Sequence, residues 1–248
     1  MRLTAETLAY LRGERFSNDL VATFALESGD AVYESRFDVL TRLVAGRQVI
    51  HVGCVDHGVA GIRKKMEQGR WLHEALHGVA ARCFGVDLDE EGIEYMRDTL
   101  GYVDAAALDI LEDPCEPLMA QHWDYLLLPE VLEHIGDPVR FLAGLRQRFI
   151  GRVEELVVTV PNGFSHRNAR EARRNVERIN SDHRFWFTPY TLAKVAMDAR
   201  LSPRRFSLCH GGPLKPLSPL RPRGLMDGLY CRRYPLLRNS IVMHMGFE

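Results

Sequence analysis

The residues that could do chemistry crowd into one short segment, Pro129-Glu130-Val131-Leu132-Glu133-His134. If it forms a helical turn, spacings of three and four put Glu130, Glu133 and His134 on one face. Two carboxylates and an imidazole so placed suit a divalent cation: imidazole fits transition metals, whereas carboxylates alone suit magnesium. Magnesium, manganese and zinc are therefore the candidates. His183, in Asp182-His183-Arg184-Phe185-Trp186-Phe187-Thr188, is the candidate fourth ligand. Without a metal, Glu130 and His134 are the candidate catalytic pair, with His134 as general base. A third reading is structural, with Glu133 and His134 bonded to each other to close the turn.

A second set of residues suits ligand binding. The apolar run Val49-Ile50-His51-Val52 leads into Gly53-Cys54-Val55-Asp56-His57-Gly58, and Cys83-Phe84-Gly85-Val86 ends on Asp87. Glycine after a strand permits a tight turn and close approach of a ligand to the backbone. A carboxylate ending the next strand can accept from two ribose hydroxyls. A dinucleotide enzyme would use similar parts, but its G-x-G-x-x-G turn is absent: Val55 and His57 stand where further glycines are expected.

These residues need a scaffold, and the pattern predicts one. Short apolar runs at Val49–Val52, Cys83–Val86, Tyr102–Ala107, Tyr125–Leu128 and Leu156–Val160 alternate with expected helices near 70–80, 90–99 and 138–148. That alternation predicts an α/β fold with a mostly parallel sheet covered on both faces. Asp137-Pro138 reads as a helix cap followed by proline at the first helical position. Residues 1–46 read as a helical extension, from Leu20, Phe24, Ala25 and Leu26 and then Phe37, Leu40, Leu43 and Val44. A last strand is expected at Ser240–Met245. The expectation is one domain over 1–248, with substrate-side insertions at 163–190 and 211–238.

The order of these segments, through Leu108-Asp109-Ile110, Trp123-Asp124-Tyr125 and Val158-Thr159-Val160-Pro161-Asn162, resembles class I S-adenosylmethionine methyltransferases. It looks most like the branch of ubiquinone-pathway O-methyltransferases and enzymes of bacterial polysaccharide clusters, over roughly Arg36 to Leu201. The resemblance implies a Rossmann-like, seven-stranded sheet and S-adenosylmethionine as cofactor. It implies that Gly53 and Cys54 lie against the methionine end, Asp87 binds the ribose and Leu88 packs on the adenine. Asp109 would approach the adenine amino group with Ile110 beside it, and Leu128 would lend backbone to the methionine site. The E-x-x-E-H segment with a later histidine is similar to the small-RNA 3′-terminal 2′-O-methyltransferases, where they hold a divalent ion on vicinal hydroxyls; Glu130, Glu133, His134 and His183 fall on the matching positions. Two departures stand out: His51 replaces a usual acidic residue, and the glycine turn is depleted. Trp71-Leu72-His73 lies in an insertion, Arg63 to Gly78, where Trp71 reads as a packing anchor.

The acceptor side is less legible. Arg167, Arg170, Arg173, Arg174, Arg178 and Arg184 follow one late strand, and Lys215, Arg221, Arg223, Arg232, Arg233 and Arg238 follow another. Clustered arginines favour phosphate or carboxylate ligands, although charge runs are commonly just solvated faces. The expected activity is O-methylation of a hydroxyl on a glycan, activated sugar or other anionic small-molecule acceptor. Methylation of a small metabolite or quinone precursor, RNA 2′-O-methylation, and a non-catalytic cofactor-binding subunit are the alternatives. A net charge of -1 argues against nucleic acid. No apolar run is long enough to cross a bilayer, and five scattered cysteines without a C-x-x-C pair point to the cytoplasm.

Overall fold

Strands that are apolar at every position must be covered on both sides. In the computed structural model, alternate residues of each central strand enter two different cores. Ile50, Val52, Phe84, Val86, Leu126, Leu128, Val158 and Val160 pack in one. Val49, Cys83, Leu127, Val157 and Val242 pack in the other. The structure describes residues 1–27, 30, 32–212, 214 and 222–247, without the side chains of 222–227.

In chain order the elements are β1 (Arg2–Leu3), α1 (Ala5–Leu11), β2 (Phe24–Ala25), α2 (Arg36–Val44), β3 (Gln48–Val52), α3 (Gly58–Glu67), α4 (Leu72–His77), β4 (Arg82–Asp87) and α5 (Glu90–Glu94). A single π turn, Tyr95–Thr99, extends α5. There follow β5 (Ala105–Ala107), α6 (Glu116–Met119), β6 (Trp123–Pro129), α7 (Pro138–Phe149), β7 (Val153–Pro161), α8 (His166–Ala172), α9 (Pro189–Asp198), β8 (Ser202–Cys209), α10 (Pro222–Arg233) and β9 (Ser240–Gly246). Seven strands form one sheet in the order β5-β4-β3-β6-β7-β9-β8. Neighbours are parallel except at β9, which is antiparallel to both β7 and β8. Helices α7 and α9 supply Leu142, Leu145, Leu192 and Ala196 to one face, whereas α2 and α4 supply Leu40, Val44 and Leu76 to the other. The expected α/β, mostly parallel seven-stranded architecture is the one observed.

Several expectations differ in detail. Among the described residues of 1–46, α-helix is confined to α1 and α2; Phe24 and Ala25 instead pair with β1 as a two-stranded ribbon, and the Phe24 ring packs edge-on against Phe206 at 5.3 Å. That contact, made across the chain, overrides a chance helical spacing. The strand expected at Tyr102–Ala107 is confined to Ala105–Ala107, and β8 and α3 have no counterpart among the expected elements. Pro213 and residues 215–221 of the 211–238 insertion lie outside the described residues. Among the described residues, no helix is long and apolar enough to cross a membrane.

Candidate active site

The strand order reverses at β3, whose neighbours are β4 and β6, and ligands of open α/β sheets bind beyond the carboxyl ends of strands at such a point. A cleft of about 730 Å³ opens there, running from Asp87 and Asp89 across Gly53 and Cys54 to Glu133, His134 and His183.

On the β3–β4 side the turn is held by backbone geometry. Gly53 has φ +76°, and an added Cβ would lie 2.8 Å from Val131 Cγ2; only glycine fits. Asp56 and His57 also adopt positive φ (60° and 75°) without being glycine, and Lys65 pairs with the Asp56 carboxylate. Asp87 closes the turn, accepting from the Val55 amide at 2.9 Å and the Asp89 amide at 3.2 Å. Burial raises the Asp87 pKa, opposed by these amide bonds. Its carboxylate oxygens retain acceptor capacity toward the cleft. Trp71, 1% exposed, donates its indole N–H to the Cys54 carbonyl at 3.0 Å, so it anchors the turn from behind.

Gly53, Cys54 and Asp87 thus line the cleft, whereas Leu88, Asp109, Ile110 and Leu128 are not among its lining residues. Leu88 is largely exposed, and Ile110 and Leu128 are buried. Asp109 accepts from the Leu111 amide at 2.8 Å, the hydrogen bonding of a turn-forming residue. Pro129, directly after Leu128, does line the cleft.

On the β6 side the chain makes a sharp local change. Glu130 adopts φ 58° while its amide still bonds to the Thr159 carbonyl, so the helical turn starts only at Leu132 and is 3₁₀. Glu130 is therefore drawn away from the expected four-ligand face. Its carboxylate meets Arg36 Nη1 at 2.6 Å and accepts from Thr159 and Ser240 hydroxyls at 3.1 and 3.3 Å. Glu133, His134 and His183 do come together, with one ligand atom of each within 4.8 Å of the others. Glu133 is fully buried, and both its carboxylate oxygens lack a hydrogen-bond partner, as does buried His183 Nδ1. Burial, and then the charge of Glu130, push the Glu133 pKa up to about 8. His183 Nε2 stands 3.9 Å from Glu133 Oε1, and its ring lies perpendicular to that of His134 at 4.6 Å. Burial, and then His134, lower the His183 pKa. Arg184 ties the two segments, its amide donating to the Glu133 carbonyl at 2.8 Å and its Nε to the His134 carbonyl at 3.1 Å. A buried, unpartnered carboxylate beside two imidazoles is costly unless something compensates it; a divalent cation fits that donor set.

No protein-family model and no curated protein sequence matches the chain. Solved structures do match. Magnesium protoporphyrin IX methyltransferase from Synechocystis PCC 6803, with bound S-adenosylhomocysteine, superposes with TM-score 0.51 and 12% identity over 85% of this chain and 81% of that one. Small RNA methyltransferase HEN1 gives TM-score 0.54 and 15% identity over 85% of this chain but only 24% of its own. A structure of the Haloferax volcanii Trm112 methyltransferase activator in complex with a methyltransferase gives 0.51 and 14%, over 84% and 86%. The fold is that of class I methyltransferases. At these identities the likeness is one of fold, and the site must be argued from this chain's own residues.

The cleft carries basic residues of unexpected origin, Arg36, Lys64, Lys65 and Arg70, among the carboxylates of Asp56, Asp87, Asp89, Glu130 and Glu133; Arg36 pairs with Glu130 and Lys65 with Asp56. Of the arginines expected there, Arg167 and Arg178 pair with Glu171, and Arg232 and Arg233 are exposed away from the lining residues. Arg238 is 2% exposed and donates to the Cys231, Val32 and Leu208 carbonyls. It is a structural tie, not an acceptor contact. Lys215 and Arg221, and the side chains of Arg223 and Asp227, lie outside the described residues. Arg36 carries one sequence signal: it follows Ser35, whose capping box with Asp38 starts α2, and its side chain reaches Glu130 and Thr159 at the carboxyl ends of β6 and β7.

Proposed function

We propose that the chain is an S-adenosylmethionine-dependent O-methyltransferase acting on a hydroxyl of an anionic acceptor, with a glycan or activated sugar as the favoured class. The buried, unpartnered Glu133 carboxylate beside His134 and His183, in the same cleft as Gly53 and Asp87, carries this reading. Asp87 accepts the ribose hydroxyls and Gly53 admits the cofactor to the backbone. Cys54 follows it at the methionine end, beside the backbone of Leu128 and Pro129. Leu88, exposed next to Asp87, covers the adenine; Asp109 and Ile110 stand at its far edge.

Glu133, His134 and His183 hold a divalent cation (magnesium, manganese or zinc), and Glu130, tied to Arg36, stands behind them as a second carboxylate. When bound, such a cation supplies Lewis acidity that lowers the pKa of an acceptor hydroxyl. The imidazoles lend lone pairs, the ionised Glu133 balances charge, and burial excludes competing water. Alignment of the hydroxyl with the sulfonium methyl provides much of the rate. Lys64 and Arg70, which line the cleft, favour an anionic acceptor. A net charge of -1 and the absence of a recognisable RNA module keep RNA methylation secondary. All five cysteines are buried and none forms a disulfide.

A metal-free variant has one observation in its favour. A carboxyl with pKa about 8 is matched to proton abstraction near neutral pH, so in that variant Glu133 is the base, in place of His134. Calorimetric titration with each metal and assay in EDTA separate the two. Metal binding that Glu133→Gln and His183→Ala abolish, with EDTA-sensitive turnover, is expected; full turnover in EDTA without measurable metal binding rejects the metal site.

A further inference from the structure

Behind the glycine turn, His51 and His73 form a buried pair that the proposed chemistry does not use. Their Nδ1 atoms lie 3.1 Å apart, the rings stack at 5.3 Å and 16°, and the side chains are 2% and 0% exposed. Burial drives both pKa values down, that of His73 to about 3, with neighbouring basic side chains adding to the effect. Both rings are therefore neutral, and their contact uses one Nδ1 proton; His73 Nδ1 also lies 4.0 Å from Cys83 Sγ, the longer of its two contacts.

Which ring owns that proton follows from the other nitrogens. His73 Nε2 is buried and has no partner. A buried N–H without an acceptor is rarer than an under-used lone pair, so His73 carries its proton on Nδ1 and donates it to His51. His51 must then carry its own proton on Nε2. Its Nδ1 is occupied by His73, and His51 lines the cleft, so the Nε2–H is the group left for a ligand. Arg36 lines the same cleft, and its Nε is likewise buried without a partner. Both side chains line the cleft, and they lie near enough for the Arg36 charge to help lower the His51 pKa.

We propose that the His51–His73 pair is a tautomer lock that makes His51 a neutral N–H donor which, with Arg36 Nε, positions the carboxylate of the cofactor's amino-acid end. This rests on the S-adenosylmethionine reading: with the ribose at Asp87, the amino-acid tail passes Gly53 toward these two donors. The locked imidazole donates its N–H to that carboxylate, and His73 acts only through His51.

Long-range ¹H–¹⁵N spectra of the histidine-labelled protein, assigned with His51→Gln and His73→Phe, read the tautomers directly. His51 protonated on Nε2 and His73 on Nδ1 is the expected result; the reverse assignment overturns the lock. Calorimetry with S-adenosylhomocysteine and with 5′-methylthioadenosine, which lacks the carboxylate, tests the ligand. His51→Leu should lose about tenfold in S-adenosylhomocysteine affinity while keeping its 5′-methylthioadenosine affinity, which also confirms its fold. His51→Gln, which retains an N–H near the Nε2 position, should recover most of the loss. If the variants keep the wild-type preference for S-adenosylhomocysteine, the carboxylate assignment is wrong although the cofactor reading stands. If the wild type binds neither compound, the cofactor reading fails and the carboxylate assignment with it, whatever the spectra show.

Discussion

At the scale of single residues, Glu133 combines full burial, a neighbouring carboxylate and no hydrogen-bond partner, and its protonation should therefore govern the cation-free protein. Its folded pKa of about 8 exceeds the ordinary 4.5, so between those values the folded chain keeps a proton that the unfolded chain releases. Stability then falls as pH rises from about 4.5 to 8 and is unaffected by this group outside that window. In urea titrations of protein stripped of metal, the stability of Glu133→Gln relative to wild type should climb across that window; a difference independent of pH would show that Glu133 titrates normally. The same carboxyl must lose its proton to hold a cation, so cation affinity should strengthen as pH approaches 8. Glu133, His134 and His183 are visible in the sequence as chemistry-bearing residues, but helical spacing places Glu130 on their face as well. Its positive φ, which no spacing rule anticipates for glutamate, turns it toward Arg36 instead.

At the scale of elements, the glycine turn and the start of α5 are interlocked. Asp89 caps α5 by accepting from the Gly92 amide at 2.9 Å, and a Cβ on Gly92 would lie 2.3 Å from Val55 Cγ1. Val55 in turn donates its amide to Asp87. Gly92→Ala should therefore push Val55 out of place, cost about 1–3 kcal/mol of stability and weaken binding of S-adenosylhomocysteine, although residue 92 is not itself among the cleft-lining residues. Wild-type affinity in a correctly folded Gly92→Ala protein would break this link. The central strands are legible in the sequence because buried parallel strands are apolar at every position. β8 is not, because Ser202-Pro203-Arg204-Arg205 opens it with polar residues at the sheet edge. The β1–β2 ribbon escapes notice because two-residue strands have no period to detect. Position 51 can be flagged as unusual from sequence and His73 falls in the insertion noted there, yet their contact depends on α4 packing behind β3, which only the fold supplies.

At the scale of the molecule, a near-neutral chain gathers both signs of charge around one cleft, with Lys64 and Arg70 beside Asp87 and Asp89. Local field rather than net charge should therefore select the acceptor. Arg70→Ala should raise KM for an anionic acceptor and leave kcat nearly unchanged, the pattern of lost uniform binding; an unchanged KM would remove Arg70 from acceptor recognition. The central claim, a methyltransferase cofactor held by Asp87 at the reversal of strand order, meets its most direct test in one calorimetric comparison. Wild type and Asp87→Ala are each titrated with S-adenosylhomocysteine. The account predicts saturable one-to-one binding by the wild type and about a hundredfold weaker binding by the folded variant. No binding by the wild type, or equal binding by both proteins, would contradict it.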